Sequence, residues 1–216
     1  MDTHQPADAN PERRQRRDAR ENRQQILVAA KWLFAAQGIE ATSMQEIARA
    51  AAVGQGTLYR HFADKGDLCL ALLKEDLAAF RERVGAIVAD TRAAPSPLAR
   101  LEILIVEKIG LTEGHLPLLA AVQDAAAGSR RPFRGPFDTW VHERIVALLD
   151  QAIAQGEVAP LDVAFTADAI VAALVPQHYR YQRELGYSSE RISAGMCHLF
   201  VERLRALPSR SQESRA

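Results

Sequence analysis

Cysteine is scarce in this 216-residue chain, and long apolar runs are missing. The two cysteines, Cys69 and Cys197, stand in no CxxC or cysteine–histidine spacing, which indicates reduced thiols rather than disulfides or a zinc site. No apolar stretch approaches the ~18 residues that a membrane helix needs, and the polar N-terminus lacks the apolar core of a signal peptide. We therefore expect a cytoplasmic protein with no membrane partner.

Catalytic signatures are missing as well. The six histidines show no HxxxH or HExxH spacing, and neither a GxSxG elbow nor a phosphate-binding P-loop occurs. We therefore expect no enzyme, metal site or cofactor, and we assign no catalytic residue.

Aromatic residues make up only 6% of the chain and no alternating strand pattern occurs, whereas alanine, leucine, arginine and glutamate are abundant. This composition predicts an all-α fold of about nine helices. The formal net charge is zero, but residues 11–65 carry ten lysines and arginines against six acidic residues. Six of those arginines lie between Arg13 and Arg23. Such a charge run is usually a solvated face, so it is weak evidence for a nucleic-acid partner.

The periodicity of apolar residues and the positions of helix-breaking residues divide the chain into four predicted regions. Residues 1–20 are polar without periodicity and are expected to be a disordered, arginine-rich arm. Residues 21–66 contain three helices, the second of which begins with an S-x-x-E capping box at Ser43 and Glu46. Residues 67–207 form a larger helical domain, and residues 208–216 form a disordered tail.

The larger domain is predicted from long apolar periods. Its expected helices, after one that ends near Ala89, cover about 97–110, 117–127, 133–155, 161–185 and 189–206. Pro176 falls inside one of these helices and is expected to kink it.

Two short helices flank a three-residue turn, Ala52–Gly54, in a helix-turn-helix arrangement. Gly54 is expected to supply a positive φ in that turn. Leu58 and Phe62 lie four residues apart, so they should anchor the second of these helices inward. The spacing leaves outward-facing residues suited to bases and phosphates: Gln55, Gly56, Thr57, Tyr59, Arg60 and His61. A helical corner with a solvated polar face is the simpler alternative.

The stretch GIEATSMQEIARAAAVGQGTLYRHFADKGDL, residues 38–68, resembles the signature of the TetR family of bacterial transcriptional regulators. The resemblance implies a three-helix DNA-reading domain, a larger helical domain that binds an effector, and a homodimer formed through the last two helices. With Arg60 added for its charge, the operator contacts it implies are Thr42, Ser43, Gln55, Gly56, Thr57, Tyr59, His61 and Lys65. Gly54 and Gln55 depart from the family's commoner Ser and Lys, which puts affinity and half-site preference in question.

The function that the resemblance implies is ligand-responsive regulation of transcription. We expect a repressor that binds a palindromic operator as a dimer and is released by a small, largely apolar effector. The expected dimer core is Ile170, Leu174, Ile192, Met196, Leu199 and Leu204, although each of these residues fits the core of a single chain equally well. The expected ligand-binding residues are Phe80, Leu104, Glu107, Gln123, Phe133, Phe137, Trp140, Phe165, Gln177 and His178.

Several alternatives stay open. A protein with the TetR fold that binds a lipid or another ligand, but no DNA, should have lost the basic and polar residues of the third helix. Arg49, Arg60, Thr57 and Lys65 argue against that alternative. The arginine-rich arm either lies along DNA or is solvated and disordered. The aromatic stripe of Phe133, Phe137 and Trp140 is also more often core than pocket wall. Glu107 fits either a contact with a cationic ligand or a solvated position at the rim.

Overall fold

The computed structural model describes residues 11–92, 94, 96–127 and 135–205, with side chains from residue 13 onward. These ranges contain nine α-helices, one 3₁₀ turn at Glu202–Leu204 and no strand ladder, so the all-α expectation is confirmed. The helices are α1 Pro11–Gln37, α2 Met44–Ala50, α3 Gln55–His61, α4 Lys65–Ala89, α5 Pro97–Ala127, α6 Pro136–Ala154, α7 Val163–Ala173, α8 Pro176–Glu184 and α9 Ser189–Phe200. In the described part of the chain, every helix is too short or too polar to span a membrane.

Contacts divide the chain into two compact units, unit 1 (Met1–Leu73) and unit 2 (Lys74–Ala216). The division falls within α4, after Leu73 rather than after residue 66. In unit 1, α1 packs against α2 and α3, and α2 packs against α3. Their buried side chains, together with one from the start of α4, form a single core: Ile26, Ala29, Ala30, Leu33, Ile47, Ala48, Ala51, Leu58, Phe62 and Leu68.

The prediction of a disordered arm is wrong for residues 11–20, which form the first turns of α1. Proline is favoured in a first helical turn because its missing N–H would have no partner there, and Pro11 stands at that position. Arg17 Nε lies 3.5 Å from Glu21 Oε1, an i,i+4 pair that supports the polar and exposed first turns of the helix. Residues 1–10 of the predicted arm lie outside the described ranges.

In unit 2, α5 is the central helix and packs against α6, α8 and α9. Its inward face is apolar, with Leu101, Leu104 and Ile105 buried. The helix is kinked at His115, which has non-helical angles (φ −126°, ψ 19°), two residues before Pro117. Proline causes such kinks because it removes a backbone hydrogen bond and clashes with the preceding turn. The separate helices predicted over 97–110 and 117–127 are the two arms of this kinked helix.

Two predicted helices of unit 2 are wrong in their extent. Pro176 kinks no helix, because α7 ends at Ala173 and Pro176 begins α8. Val175 before it is extended (φ −70°, ψ 142°), the conformation that a following proline favours. At the C-terminal end, Val201 (φ −126°, ψ −61°) terminates α9 at Phe200, so the helix does not continue to residue 206. The tail from residue 206 lies outside the described ranges.

Candidate nucleic-acid interface and effector site

The start of α2 is fixed by the predicted capping box. The backbone N–H of Ser43 donates to Glu46 Oε2 at 2.8 Å, and the backbone N–H of Glu46 donates to Ser43 Oγ at 3.2 Å. The Ser43 hydroxyl also donates to Glu46 Oε2 at 2.7 Å. The bonds that the backbone N–H and the hydroxyl of Ser43 donate to the carboxylate lower the pKa of Glu46, since they favour its ionised form. The box fixes the residue at which α2 begins and therefore the register of the helix-turn-helix.

The turn between α2 and α3 has a left-handed residue, but it is Ala52 (φ 53°) and not Gly54. Gly54 is extended (φ −67°, ψ 147°) and is the N-cap of α3, so the expectation of a positive φ there is wrong. The N–H of Val53 donates to the carbonyl of Ala48, and the N–H of Ala52 donates to that of Arg49. These two bonds form a Schellman motif, which needs its left-handed residue directly after the C-cap Ala51.

Replacing Ala52 with Gly is expected to raise the free energy of unfolding of unit 1 by about 0.5–1 kcal/mol. Alanine in the left-handed region is strained by about 1 kcal/mol or more, whereas glycine is not, although glycine loses more entropy on folding. Urea denaturation followed by circular dichroism measures the change. Ala50→Gly, inside α2, is the matched control and should lower stability by about 0.5–1 kcal/mol. Equal destabilisation by both variants would contradict the strain at Ala52.

α3 is held by two buried side chains and presents its remaining face to solvent. Leu58 and Phe62 are buried, as predicted, and the guanidinium of Arg23 lies 5.2 Å from the centre of the Phe62 ring. The outward positions are occupied by the polar and aromatic residues expected from the spacing. Gln55, Gly56, Tyr59 and Arg60 are exposed, and Thr57 and His61 are half-buried.

The geometry of α3 joins some of these residues to one another. Arg60 Nη2 donates to Thr57 Oγ1 at 3.0 Å, so the guanidinium lies along the helix beside the hydroxyl. Tyr59 is 52% exposed and its hydroxyl is a donor able to reach a phosphate. A slender helix with this face is of the type that enters a major groove.

Two predicted DNA contacts have structural partners within unit 1. Thr42 is only 1% exposed, and its hydroxyl donates to the Gly38 carbonyl at 2.7 Å while it accepts from Gln37 Nε2. Lys65 Nζ donates to the carbonyls of Ile39 (2.7 Å) and Glu40 (3.3 Å). The prediction of a direct contact from Thr42 is therefore wrong because its side chain is buried. The Lys65 amine was expected to reach a phosphate, but in the structure it holds the loop between α1 and α2.

A hollow beside α3 was not predicted from the sequence. It is lined by residues of α1 and by the end of α3: Gln15, Asp18, Ala19, Asn22, Arg60 and His61. The spacing 15, 18, 19 and 22 places these α1 residues on one helical face, which is the signal that could have identified them. The arginine-rich start of α1 therefore adjoins the C-terminal end of α3.

In unit 2, three predicted ligand-binding aromatics form a cluster. The ring centres of Phe80 and Phe137 are 5.4 Å apart, those of Phe80 and Trp140 are 6.2 Å apart, and those of Phe137 and Trp140 are 6.3 Å apart. Phe80 and Leu104 are buried, and Phe137 and Trp140 are half-buried. Phe133 lies outside the described ranges.

The remaining predicted ligand residues are dispersed. Gln123 Oε1 accepts from the backbone N–H of Gln177 at 3.4 Å, which joins α5 to the start of α8. Phe165 is 71% exposed and His178 is exposed, so their assignment to a buried pocket is wrong. Helical spacing located these two residues on their helices but did not specify which face packs inward.

Two charged side chains of α5 are buried, Arg100 and Lys108, and neither was predicted from the sequence. Glu107 lies at the edge, as the alternative of a rim position requires, and accepts from Arg83 Nη1 at 2.6 Å. Lys108 is one residue further along and is only 3% exposed. Its spacing from Leu101, Leu104 and Thr112 is the signal that could have placed it in the core.

Most residues expected in a dimer core are buried inside a single chain. Ile170, Leu174, Ile192 and Met196 belong to the core of unit 2, and Leu204 packs against that core from its edge. These five residues therefore fit the alternative that they form the core of a single chain. Leu199 is 59% exposed and is the one member of the set with a free side chain.

Both cysteines are buried, and they form no disulfide. Burial raises the pKa of Cys69 to about 12 and that of Cys197 to about 11, so neither thiol ionises near neutral pH. In the described ranges, no group of three or more His, Cys, Asp or Glu side chains is placed to hold a metal ion.

The family-model match lies within unit 1. The family model for bacterial regulatory proteins of the tetR family matches residues 26–72. An HTH-type transcriptional regulator of Staphylococcus aureus (strain USA300) is 51% identical over 65 residues, which is 30% of this chain. The match spans 35% of that regulator's length.

Solved structures resemble both units in fold. AibR, solved with isovaleryl coenzyme A and operator DNA, is 25% identical over 83% of this chain and 98% of its own, with a TM-score of 0.56. A gamma-butyrolactone receptor, described as an ArpA-like protein, is 29% identical over 88% of this chain and 91% of its own (TM-score 0.55). A TetR-family regulator from Pectobacterium atrosepticum is 23% identical over 89% of this chain and 98% of its own (TM-score 0.63), which shows a shared fold.

Proposed function

Because the chain belongs to the TetR family of bacterial regulatory proteins, we propose that it is a cytoplasmic repressor that a small effector releases from DNA. The family and its matched relatives are transcriptional regulators and not enzymes. In this proposal the protein binds a palindromic operator as a homodimer, and the effector occupies unit 2. The observation that supports DNA binding best is the exposed face of α3 over a buried Leu58–Phe62 anchor.

The proposed operator contacts come from α3 and the residues around it. Gln55 and Thr57 face bases or phosphates, and Gly56 allows the backbone to approach the DNA closely. Tyr59, Arg60 and His61 face phosphates. Ser43 and Lys65 act at the edge of this surface, Ser43 as the cap of α2 and Lys65 through the loop that it holds. The basic start of α1 extends the positive surface along the DNA backbone.

A homodimer is proposed because one short helix reads too few base pairs for specificity, and two-fold symmetry matches a palindrome. On α9, the exposed side includes Ala194, Gly195 and Leu199. A Cβ added at Gly195 would meet no atom within 4 Å, so this side is open in a single chain. Small residues beside an exposed leucine allow two helices to approach closely, which fits α9 as the centre of the dimer interface.

Leu199→Glu is expected to weaken dimerisation by at least about 30-fold, since it places two unpaired charges in the proposed interface. Analytical ultracentrifugation over a concentration series measures the effect, and operator affinity should fall with the dimer fraction. Val106→Glu, at an exposed valine of α5, is the matched control and should leave the dimer intact. If Leu199→Glu sediments as the wild type does, α9 is not the interface.

The effector is proposed to be small, with an apolar part that contacts Phe80, Phe137 and Trp140. AibR and the gamma-butyrolactone receptor, which are similar along most of their length, support a small organic ligand in this fold. Ligand control requires that the effector favour one arrangement of the two α3 helices over another, and it can shift DNA binding only by that preference. Because α4 begins in unit 1 and ends in unit 2, we infer that it is the lever.

Sequencing of genomic DNA fragments bound by the purified protein tests the proposed function. The expected result is enrichment of a few fragments that share an inverted repeat, with half-sites spaced by about one helical turn. The same experiment with Tyr59→Ala should lose that enrichment. Recovery of the input distribution with the wild-type protein would favour a ligand-binding protein that has the fold without DNA binding.

A further inference from the structure

We propose that the effector is an organic carboxylate and that Lys108 is the residue that binds its carboxyl group. The inference rests on the proposed effector function of unit 2 and specifies the chemical class of the ligand. It follows from where Lys108 lies, from what its amine contacts, and from the side chains beside it.

The amine of Lys108 lies in the core with neutral partners only. Nζ donates to Thr112 Oγ1 at 3.3 Å and to the Leu174 carbonyl at 3.5 Å, both long for a charged donor. The Thr112 hydroxyl in turn donates to the Lys108 carbonyl at 2.9 Å. Among the described residues, no carboxylate oxygen lies within 4.0 Å of Nζ. An ammonium group has three donors, and here they lack an anionic acceptor.

A buried lysine of this kind is unfavourable without a counterion. Burial lowers the pKa of Lys108, and the charge of Asp138 opposes that effect without forming an ion pair in the described ranges. The neighbouring acid on α5, Glu107, already binds Arg83. Proteins rarely keep a buried charge unpaired, so an anion supplied from outside would restore the charged form of the amine.

The surroundings of Lys108 indicate what else the ligand carries. The centre of the Phe137 ring lies 5.8 Å from Nζ, and Phe137 contacts both Phe80 and Trp140. An apolar body can pack on these rings while an anionic end meets the amine. Ligand sites of this composition, apolar with few polar groups, are the usual form of small-molecule pockets. A single ammonium balances one negative charge, which favours a monoanionic carboxylate over a phosphate dianion.

The chain's two tryptophans allow a direct test. In a Trp32→Phe background, Trp140 is the only source of tryptophan fluorescence, and it lies next to the proposed site. Butanoate, octanoate, phenylacetate and naphthylacetate are titrated into the full-length protein, and each is paired with its neutral amide. At least one carboxylate is expected to change Trp140 emission and to bind at least about tenfold more tightly than its amide, because a charge-assisted hydrogen bond replaces a neutral one.

Two substitutions separate a ligand role from a structural one. Lys108→Met should remove the preference for the carboxylate, and Lys108→Gln serves if Met impairs folding. Lys74→Met, at an exposed lysine of α4, is the control that should keep the preference. The proposal is overturned if no carboxylate binds the wild-type protein more tightly than its amide does. It is also overturned if Lys108→Met keeps the preference, because Lys108 then only caps the end of α7 near Leu174.

The ligand assay is independent of DNA, so the two proposals fail separately. If carboxylates bind but no DNA fragment is enriched, the repressor function is wrong and the ligand class stands. If the operator is bound and no carboxylate is preferred, the repressor function stands and the role of Lys108 is wrong. If both hold, the preferred carboxylate should release the operator from the wild type and not from Lys108→Met.

Discussion

Tyr59→Ala is expected to weaken operator binding by roughly 10²- to 10⁴-fold. A hydrogen bond to a charged group is worth about 1.5–3 kcal/mol, and a symmetric dimer loses two of them, or about 3–6 kcal/mol. The hydroxyl of Tyr59 is on the exposed face of α3, and its neighbour Leu58 is buried, so truncation removes the contact without disturbing the core. Fluorescence anisotropy with a labelled operator measures the loss.

Three comparisons make the Tyr59 result specific. Tyr59→Phe keeps the ring and removes the hydroxyl, so it should lose most of the same affinity. Trp32→Ala removes an exposed aromatic side chain of α1 in unit 1 and should bind nearly as the wild type does. Helicity and dimer content should be unchanged in every variant. If Tyr59→Ala binds the operator as tightly as the wild type does, α3 does not lie against the DNA backbone as proposed.

Leu58→Ala is expected to destabilise unit 1 by about 2–5 kcal/mol. Leu58 is fully buried in a small core, and a Leu→Ala change at such a site loses both transfer free energy and packing around the cavity left behind. Since single domains are stabilised by only about 5–15 kcal/mol, this loss is a large part of what holds α3 in place. Operator binding should fall accordingly, although no DNA contact has been removed.

Hydrogen exchange followed by mass spectrometry measures the Leu58→Ala effect by segment. Amides of α1, α2 and α3 should lose protection, and those of α5 and α6 should keep it, because these helices belong to the other compact unit. Leu70→Ala, at an exposed leucine of α4, is the matched control and should change stability by about 0.5 kcal/mol or less. Loss of protection throughout α5 and α6 would contradict the division into two units.

Local signals predicted unit 1 well because they act within a few residues. The Ser43–Glu46 box and the four-residue spacing of Leu58 and Phe62 depend on the backbone between them, so their geometry follows from the sequence. The turn was less predictable. A Schellman motif requires its left-handed residue at a fixed place after α2, and this requirement overrides the preference of Gly54 for that conformation.

The sequence located helices in unit 2 but not the partner that each helix face meets. An apolar stripe packs equally well against the same chain or against a second copy, which is why Ile170 and Ile192 were expected at an interface and lie in the core. Adjacent side chains on a helix point about 100° apart. A small error in the assumed inward face therefore led to the prediction of Glu107 instead of Lys108. Phe165 was misplaced for the same reason.

Sequence-specific DNA binding is tested by comparing the affinity of the 216-residue protein for its most enriched genomic fragment with its affinity for a shuffled fragment of equal composition. Both affinities are measured by anisotropy at several salt concentrations. We expect the enriched fragment to bind at least about 10³-fold more tightly, and both affinities to fall with salt, as phosphate contacts require. Equal affinity for the two fragments, or no measurable binding to either, would contradict sequence-specific DNA binding.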